Sequence, residues 1–222
     1  MNKALNIIIA LAIVFCAGCD INIHVGNGKV VKGSGKVVSE GREISSFHAV
    51  DVKGSIDVEV TRADEFKCTV QGDDNIVPLI VMKVKGQRLD ISAKQSYSTR
   101  QKPTVFLEVP ELTEVVLSGS ADIKMADVTK DTVVLRISGS GNIVASGKAR
   151  QVTAEVSGSG DLQLARLVAE HVDVTINGSG DANVWAKQSL NARVSGSGDI
   201  IYSGDPEKVH SAVSGSGDIV KE

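Results

Sequence analysis

Aromatic residues are scarce in this chain and make up 3% of its 222 residues. Faces that bind sugars or single-stranded nucleic acids rely on aromatic rings that stack against the ligand, so this scarcity disfavours both kinds of site. A basic surface is also missing from the composition, because 24 Lys and Arg residues stand against 27 Asp and Glu residues. The resulting net charge of −3 predicts no nucleic-acid partner.

The chain also lacks the short motifs of common catalytic sites. It has no G-x-S-x-G nucleophile elbow, and its Gly-Ser stretches lack the third glycine of a dinucleotide-binding loop. The four histidines are scattered without the spacing of metal ligands: His24, His48, His171 and His210. We predict a non-catalytic protein without a cofactor. The alternative is a carbohydrate-active enzyme, which would need carboxylates clustered in a cleft.

A mostly apolar run at residues 4–15 follows the positive charge of Lys3. The run is shorter than the roughly 20 residues that span a membrane, and its position is typical of an export signal. The next residues, "CAGC", resemble a bacterial lipobox, although Cys16 stands where leucine is usual. We predict a lipoprotein signal peptide at residues 1–18 and a lipid on Cys19. The alternative is an ordinary secretory signal with a chance cysteine.

Few cysteines would remain after that processing. Cys16 would leave with the signal and Cys19 would carry the lipid, so Cys68 would be the one thiol left and no internal disulfide could form. The strand-like surroundings of Cys68, "FKCTV", predict a buried small hydrophobe rather than a nucleophile. We expect an exported protein of the bacterial cell envelope that is held to a membrane by its lipid, with the membrane and leaflet left open.

One glycine-serine motif recurs through the second half of the chain. "SGSGD" occurs three times, and near-copies bring the number to six, beginning at residues 118, 138, 157, 177, 195 and 214. The intervals between them are 18 to 20 residues. A branched aliphatic residue precedes every copy, and apolar residues tend to occupy alternate positions on both sides. This period of two predicts β-strands with one face turned inward, and no helical period appears.

The repeat length predicts the architecture. A unit of two short strands and two turns cannot bury its own apolar face, whereas stacked copies bury a continuous core. We therefore predict an all-β, single-domain parallel β-helix with coils of 18–20 residues, right-handed as parallel connections usually are. A meander or sandwich is the alternative, but it would not need one motif at one place in every repeat.

The remaining sequence divides into three parts. Residues 19–46 are polar and glycine-rich, and they predict a tether. Residues 47–222 form the predicted β-helix, with irregular first coils at 47–111 and regular coils at 112–222, since terminal repeats are usually atypical. Within the irregular part, "KGSID" reads as a degenerate first copy of the turn, and "QGDDN" and "KGQR" read as hairpin turns.

Several stretches together resemble one bacterial family. These are "FHAVDVKGSIDVEV", "QGDDNIVPLI" with "GQRLDIS", "VPELTEVVLSGSADI" and the "VSGSGDI" series. From about residue 47 to 222 the chain is similar to the putative auto-transporter adhesin, head GIN domain family. The resemblance implies a β-helical domain on an exported or lipid-anchored protein, with an adhesin-like binding or scaffold role toward an unknown envelope or surface partner. It brings no catalytic residues.

The last position of each motif is an acid or an amide, and stacking would place these side chains in one column. The column comprises Asp122, Asn142, Asp161, Asp181, Asp199 and Asp218. Carboxylates and hydroxyls in such turns commonly bond nearby backbone N–H groups, and this accounts for the motif without a metal. Calcium bound by the column is the alternative, because carboxylates at strand spacing repel each other. The spacing differs from that of known calcium-binding β-rolls.

The sequence ends directly after a turn motif, at "SGSGDIVKE". We expect the last coil to expose unpaired strand edges, which proteins normally protect. Lys221 and Glu222 could supply enough charge to discourage stacking. Otherwise this end would be a surface for forming a homo-oligomer.

Overall fold

The structure, a computed structural model, describes residues 30–222. The predicted signal peptide and the lipidation site Cys19 lie outside the described residues. Strands dominate the described chain, with one short 3₁₀ turn at Val77–Leu79. The strands are β1 Val31–Lys32, β2 Val37–Gly41, β3 Ala49–Gly54, β4 Asp57–Arg62, β5 Lys67–Asp73, β6 Ile80–Lys85, β7 Arg88–Ala93, β8 Tyr97–Ser98, β9 Thr104–Val109, β10 Glu114–Gly119, β11 Asp122–Gly139, β12 Asn142–Gly158, β13 Leu162–Gly178, β14 Ala182–Gly196, β15 Ile200–Ser203, β16 Lys208–Gly215 and β17 Ile219–Lys221.

The four longest strands, β11 to β14, each run around most of one coil. Each is 15 to 18 residues long and pairs in parallel with the strand of the next coil. The predicted parallel β-helix is confirmed, as a solenoid of about five turns. The prediction of two separate strands per repeat is wrong, because pairing between coils continues around the bends and breaks only briefly, for example between Met125 and Val128.

The core is a set of aliphatic columns that run along the solenoid. The residue before each turn motif is no more than 2% exposed in five successive coils: Leu117, Ile137, Val156, Ile176 and Val194. The parallel, in-register pairing places each of these side chains over its copy in the coil before. Because each coil buries the face of its neighbour, the stack as a whole carries the stability.

The first coils stack in an order that differs from the sequence. β3 pairs in parallel with both β10 and β7, and β4 pairs in parallel with both β11 and β9. The coil of β3 and β4 therefore lies between the coil of β7 and β9 and the regular coils. Gly54 of "KGSID" pairs with Gly119 of the first regular motif, so this stretch is the first copy of the turn.

The N-terminal end of the solenoid is closed by antiparallel strands. β6 and β7 form a hairpin that pairs Lys85 with Arg88, as predicted for "KGQR". β5 pairs with β9, and β2 adds to the outer edge of β5. The hairpin predicted at "QGDDN" is wrong, because the strands on its two sides pair with β9 and β7 rather than with each other.

Residues 30–46 belong to this closed end. β1 pairs with β8, β2 pairs with β5, and Ile44 packs against the core. The Asn75 side chain accepts a hydrogen bond from the Ser34 N–H at 3.0 Å and donates one to the Lys32 carbonyl at 2.8 Å. The prediction of a tether over 19–46 therefore does not hold for residues 30–46, since backbone pairing and these side-chain bonds fix them. Residues 19–29 lie outside the described residues.

The opposite end of the solenoid is open in the described chain. β16 pairs with β14 on one side and β17 pairs with β15. All eight residues of β16 are exposed. No helix within residues 30–222 is both long and apolar enough to cross a membrane.

Candidate functional site

The repeated turn is a corner at which successive coils touch. Its first glycine has φ between 134° and 143° in all six motifs, a backbone conformation that favours glycine. A Cβ atom on Gly158 would lie 2.3 Å from the carbonyl oxygen of Gly139 in the coil before. The serine that follows donates its backbone N–H to that same oxygen, at 2.9 Å from Ser159. Stacking therefore requires glycine here for both its conformation and its lack of a side chain.

The column of acids and amides forms a ladder of hydrogen bonds between coils. The carboxylates of Asp161, Asp181 and Asp199 each accept the backbone N–H of the corresponding residue in the next coil. The N–H of Asp181 bonds the Oδ1 of Asp161 at 2.9 Å, and the N–H of Asp199 bonds the Oδ1 of Asp181 at 2.8 Å. Asp218 repeats the contact with Asp199 at 2.8 Å. The predicted turn-closing bond is thus made to the neighbouring coil rather than within the same turn.

The start of the ladder contains groups that reduce repulsion between the carboxylates. Asn142 donates its side-chain amide to the Oδ1 of Asp122 at 2.8 Å and accepts the N–H of Asp161 at 3.1 Å. The ladder begins one coil earlier than the predicted column, at Asp57, whose Oδ1 accepts the N–H of Asp122 at 2.8 Å. Lys102 lies 3.4 Å from both Asp57 and Asp122. No repeat or motif indicates Lys102 as part of this column, because it lies in an irregular loop.

These contacts bear on the calcium alternative. The structure brings all six predicted residues into one column, and one oxygen of each ladder carboxylate from Asp57 to Asp199 already accepts a hydrogen bond. Within residues 30–222, no group of three or more His, Cys, Asp or Glu side chains is arranged to hold a metal ion. The geometry of the column therefore supports backbone capping between coils.

A broad concave surface lies along the coils, away from the turn column. It has a volume of about 870 Å³, and its charged lining includes Glu114, Lys130, Arg150 and Glu170. Glu114 is bound by Arg88 at 2.6 Å and by Arg136 at 2.8 Å. At its rim, the hydrogen bond from Lys130 holds the pKa of Glu111 below its usual range. A carboxylate held ionised in this way is poorly suited to act as a general acid.

The other candidate reactive groups are apart from one another. Cys68 is buried beside Met82, and loss of hydration raises the pKa of its thiol to about 11, although the charge of Arg42 opposes the shift. This confirms the burial predicted for Cys68 and leaves almost no thiolate at neutral pH. His171 shares a hydrogen bond with Ser189 at 2.9 Å, and His210 is exposed on β16.

One further surface feature is the open end of the solenoid. Val209 and Val213 of β16 are 41% and 47% exposed, although they continue columns that are buried in the coil before. The sequence alternation marks both as inward-facing. Their exposure follows from their place at the end of the stack.

Comparison with known proteins relates most of the chain to one family model. The model described as "Putative auto-transporter adhesin, head GIN domain" matches residues 46–206. No match is found among curated proteins.

Solved structures share the solenoid fold. A putative adhesin from Bacteroides fragilis is 23% identical, with a TM-score of 0.68, covering 86% of this chain and all of its own. A putative adhesin from Parabacteroides merdae is 21% identical, with a TM-score of 0.53, covering 86% of this chain and 98% of its own. A protein from Parabacteroides distasonis described as a putative lipid binding protein is 25% identical, with a TM-score of 0.54, covering 87% of this chain and all of its own.

Proposed function

This chain belongs to the head GIN domain family of putative auto-transporter adhesins, and from that premise we propose that it is a lipid-anchored protein of the bacterial envelope with a non-catalytic, adhesin-like solenoid. The family match over residues 46–206 carries the proposal. The site geometry supports it, because turn acids bond to neighbouring coils and the groove carboxylate of Glu114 is bound by two arginines. These acids thereby serve the scaffold rather than a reaction.

The proposed anchor is a lipid on Cys19. The first described strand begins at Val31, so eleven residues, 20–30, separate the anchor from the solenoid. Fully extended, these residues would reach at most about 40 Å. The closed N-terminal end would therefore lie near the membrane surface, with a shorter spacer than residues 19–46 would have provided.

The proposed binding surface is the outward face of the strands that precede the turn motif. Side chains from successive coils form ion pairs across this face: Glu114 bonds Arg136 at 2.8 Å, and Arg136 lies 3.6 Å from Glu155. Two coils further on, Arg193 lies 3.7 Å from Asp173. A broad polar face held by paired backbones can present charged groups to a large partner without closing around it.

Bacteria that display the full chain test both parts of the proposal. We expect such cells to be retained on fibronectin-coated or mucin-coated surfaces more than cells without the chain. Cys19→Ser should remove the chain from the membrane fraction and abolish the gain in adherence. A double change, Arg136→Ala with Arg193→Ala, should reduce adherence while the chain stays anchored, because it alters only the proposed face.

Lys124→Ala is the matched control, since it removes an exposed cation that pairs with Glu59 on a different face of the coil. It should leave adherence unchanged. Retention of the Cys19→Ser chain in membranes would contradict the anchor, and an absence of added adherence on both surfaces would contradict the adhesin-like role.

A further inference from the structure

β16 presents a complete unpaired strand edge at the open end of the solenoid. Its inner edge pairs with β14 in register from Lys208 to Gly215, and no strand of residues 30–222 lies along its outer edge. The N-terminal end of the solenoid differs, because antiparallel strands cover the edges of its first coils. An uncovered edge beside exposed valines is a template for another strand.

The hydrogen-bond pattern identifies which backbone groups of β16 point outward. In these coils the N–H groups of Val134 and Ser216 bond carbonyls of the preceding coil. Val134 aligns through the successive coils with His210 of β16. Successive residues of a strand alternate the direction of their N–H and C=O groups. The N–H and C=O groups of Val209, Ser211 and Val213 therefore face the open edge.

The inward-facing side chains on this edge read Val, Ser, Val and are therefore the same in both directions along the strand. Ser211 stacks on the buried Ala192, with Val209 and Val213 two residues away on each side, and all three side chains turn toward the interior. In an antiparallel pair of two β16 strands centred on Ser211, Val209 of each copy lies opposite Val213 of the other. The outward-facing backbone groups at these three positions then bond one another, with two bonds for each of three residue pairs.

We propose that two copies of this chain join end to end through antiparallel pairing of their β16 strands, about a two-fold axis at Ser211. Each copy supplies the same surface, as a two-fold interface requires. The pairing covers the exposed valines with valines. It also sets Lys208 opposite Ser214, so that the lysine of this strand does not face its own copy.

The shape of the open end agrees with this arrangement. β17 pairs with β15 and so rises one strand beyond β16 on the neighbouring side of the coil. Rotation by 180° about the proposed axis places the end of one β16 beside the beginning of the other. The two β17 strands then lie on opposite sides of the axis.

Disulfide cross-linking of the full chain in the cell envelope tests the register. Directly opposed residues in such a pair have Cα atoms about 5.5 Å apart, within the range of a disulfide. Ser211→Cys should therefore give a reducible dimer of the chain. Ala212→Cys should give about tenfold less, because two copies of position 212 are about 8 Å apart in this register. Chains with His210→Cys and Ala212→Cys, when expressed together, should cross-link to each other.

Two further variants use the same readout and check that the dimer depends on the valines. Ser211→Cys with Val213→Lys should lose the cross-link, because the lysine would be buried against Val209 of the second copy. Ser211→Cys with Val144→Lys should keep it, since Val144 is an exposed valine on an outward face far from β16. Trypsin resistance of the monomer bands verifies that each chain is folded.

The unaltered chain should remain monomeric on a non-reducing gel, because Cys68 is buried, Cys16 leaves with the proposed signal peptide and Cys19 carries the proposed lipid. Equal cross-linking at positions 211 and 212 would overturn the proposal, since it would indicate random collision. A Ser211→Cys chain that stays monomeric, or that links to a different protein instead, would overturn it as well.

Discussion

At the scale of the residue, Asp181 takes part in two hydrogen bonds that join three coils. Its N–H bonds the carboxylate of Asp161, and its own carboxylate accepts the N–H of Asp199. Asn142 shows that an amide can take the same place, because it also accepts the N–H of the next coil. The ladder thus requires a side-chain oxygen that accepts a hydrogen bond, and it does not require that this oxygen be charged.

Substitution of Asp181 tests this interpretation. Asp181→Ala should lower the free energy of unfolding by about 1 kcal/mol, because the N–H of Asp199 loses its side-chain acceptor. Asp181→Asn should cost less or be neutral, since it keeps an acceptor and removes one charge from the column. Urea unfolding followed by circular dichroism measures both. Equal destabilisation by the two variants would mean that the charge itself matters.

The column itself was predictable from the sequence, but its bonding was not. A fixed interval of 18 to 20 residues places Asp161, Asp181 and Asp199 in one line once coils are stacked. Whether a carboxylate bonds its own turn or the next coil depends on an offset of a few ångströms between coils. No residue pattern records that offset. The contact of Lys102 with the column is equally unmarked, because Lys102 comes from a loop outside the repeat.

At the scale of the element, the turn glycines differ in how much space surrounds them. Gly54 and Gly158 occupy the same column and both have positive φ, at 94° and 134°. A Cβ on Gly54 would meet nothing within 4 Å, whereas one on Gly158 would lie 2.3 Å from the Gly139 carbonyl oxygen. Substitutions at Gly54 and Gly158 can therefore separate two contributions to the free energy of unfolding: strain from the backbone conformation and crowding between coils.

Alanine substitutions at these glycines should therefore have unequal effects. Gly54→Ala should cost about 1–2 kcal/mol, because only the strained conformation opposes it. Gly158→Ala should cost about 3 kcal/mol or more, since the neighbouring backbone must also move. The midpoints of urea unfolding give the difference. Similar midpoints for both variants would show that the coils yield easily and that stacking does not select glycine.

The strands were predictable as strands, and the β6–β7 hairpin was predictable from its turn, but the other pairing at the closed end was not. Alternation of apolar and polar residues is the same in parallel and antiparallel strands, so it does not indicate that β5 pairs with β9 rather than with β6. The interval between turn motifs distinguishes parallel stacking, and that signal starts only at residue 118. The strands of residues 30–46 are short and glycine-flanked, and they are held by pairing with β8 and β5 together with side-chain bonds from Asn75.

At the scale of the whole molecule, the regular coils act as interchangeable units. The register pairs Asn142 with Asp122, and the ladder continues through Asp161 to Asp181, so a coil can be removed without shifting any column. Stability in such a stack is approximately a sum over coils and their contacts. The position of the cut therefore matters more than the number of residues removed.

Deletion of residues 161–180 should leave a folded protein. It joins Gly160 to Asp181 and restores the motif "SGSGD" at the junction. Deletion of residues 161–170 removes half as many residues but interrupts the columns and should prevent cooperative folding. Circular dichroism and thermal unfolding compare the two. A folded half-coil deletion, or an unfolded whole-coil deletion, would contradict the view that coils are equivalent units.

The chain enters the solenoid at its closed end, and β16 lies at the other. Nine strands are stacked from β6 to β16 along one face, which spans about 40 Å at the usual strand spacing. A lipid ahead of residue 30 would hold the closed end to a membrane and direct β16 outward. Two chains joined at β16 would then form a rod of about 80 Å with an anchor at each tip. Such a rod fits between two facing cells, so that the same chain on both would act as its own receptor.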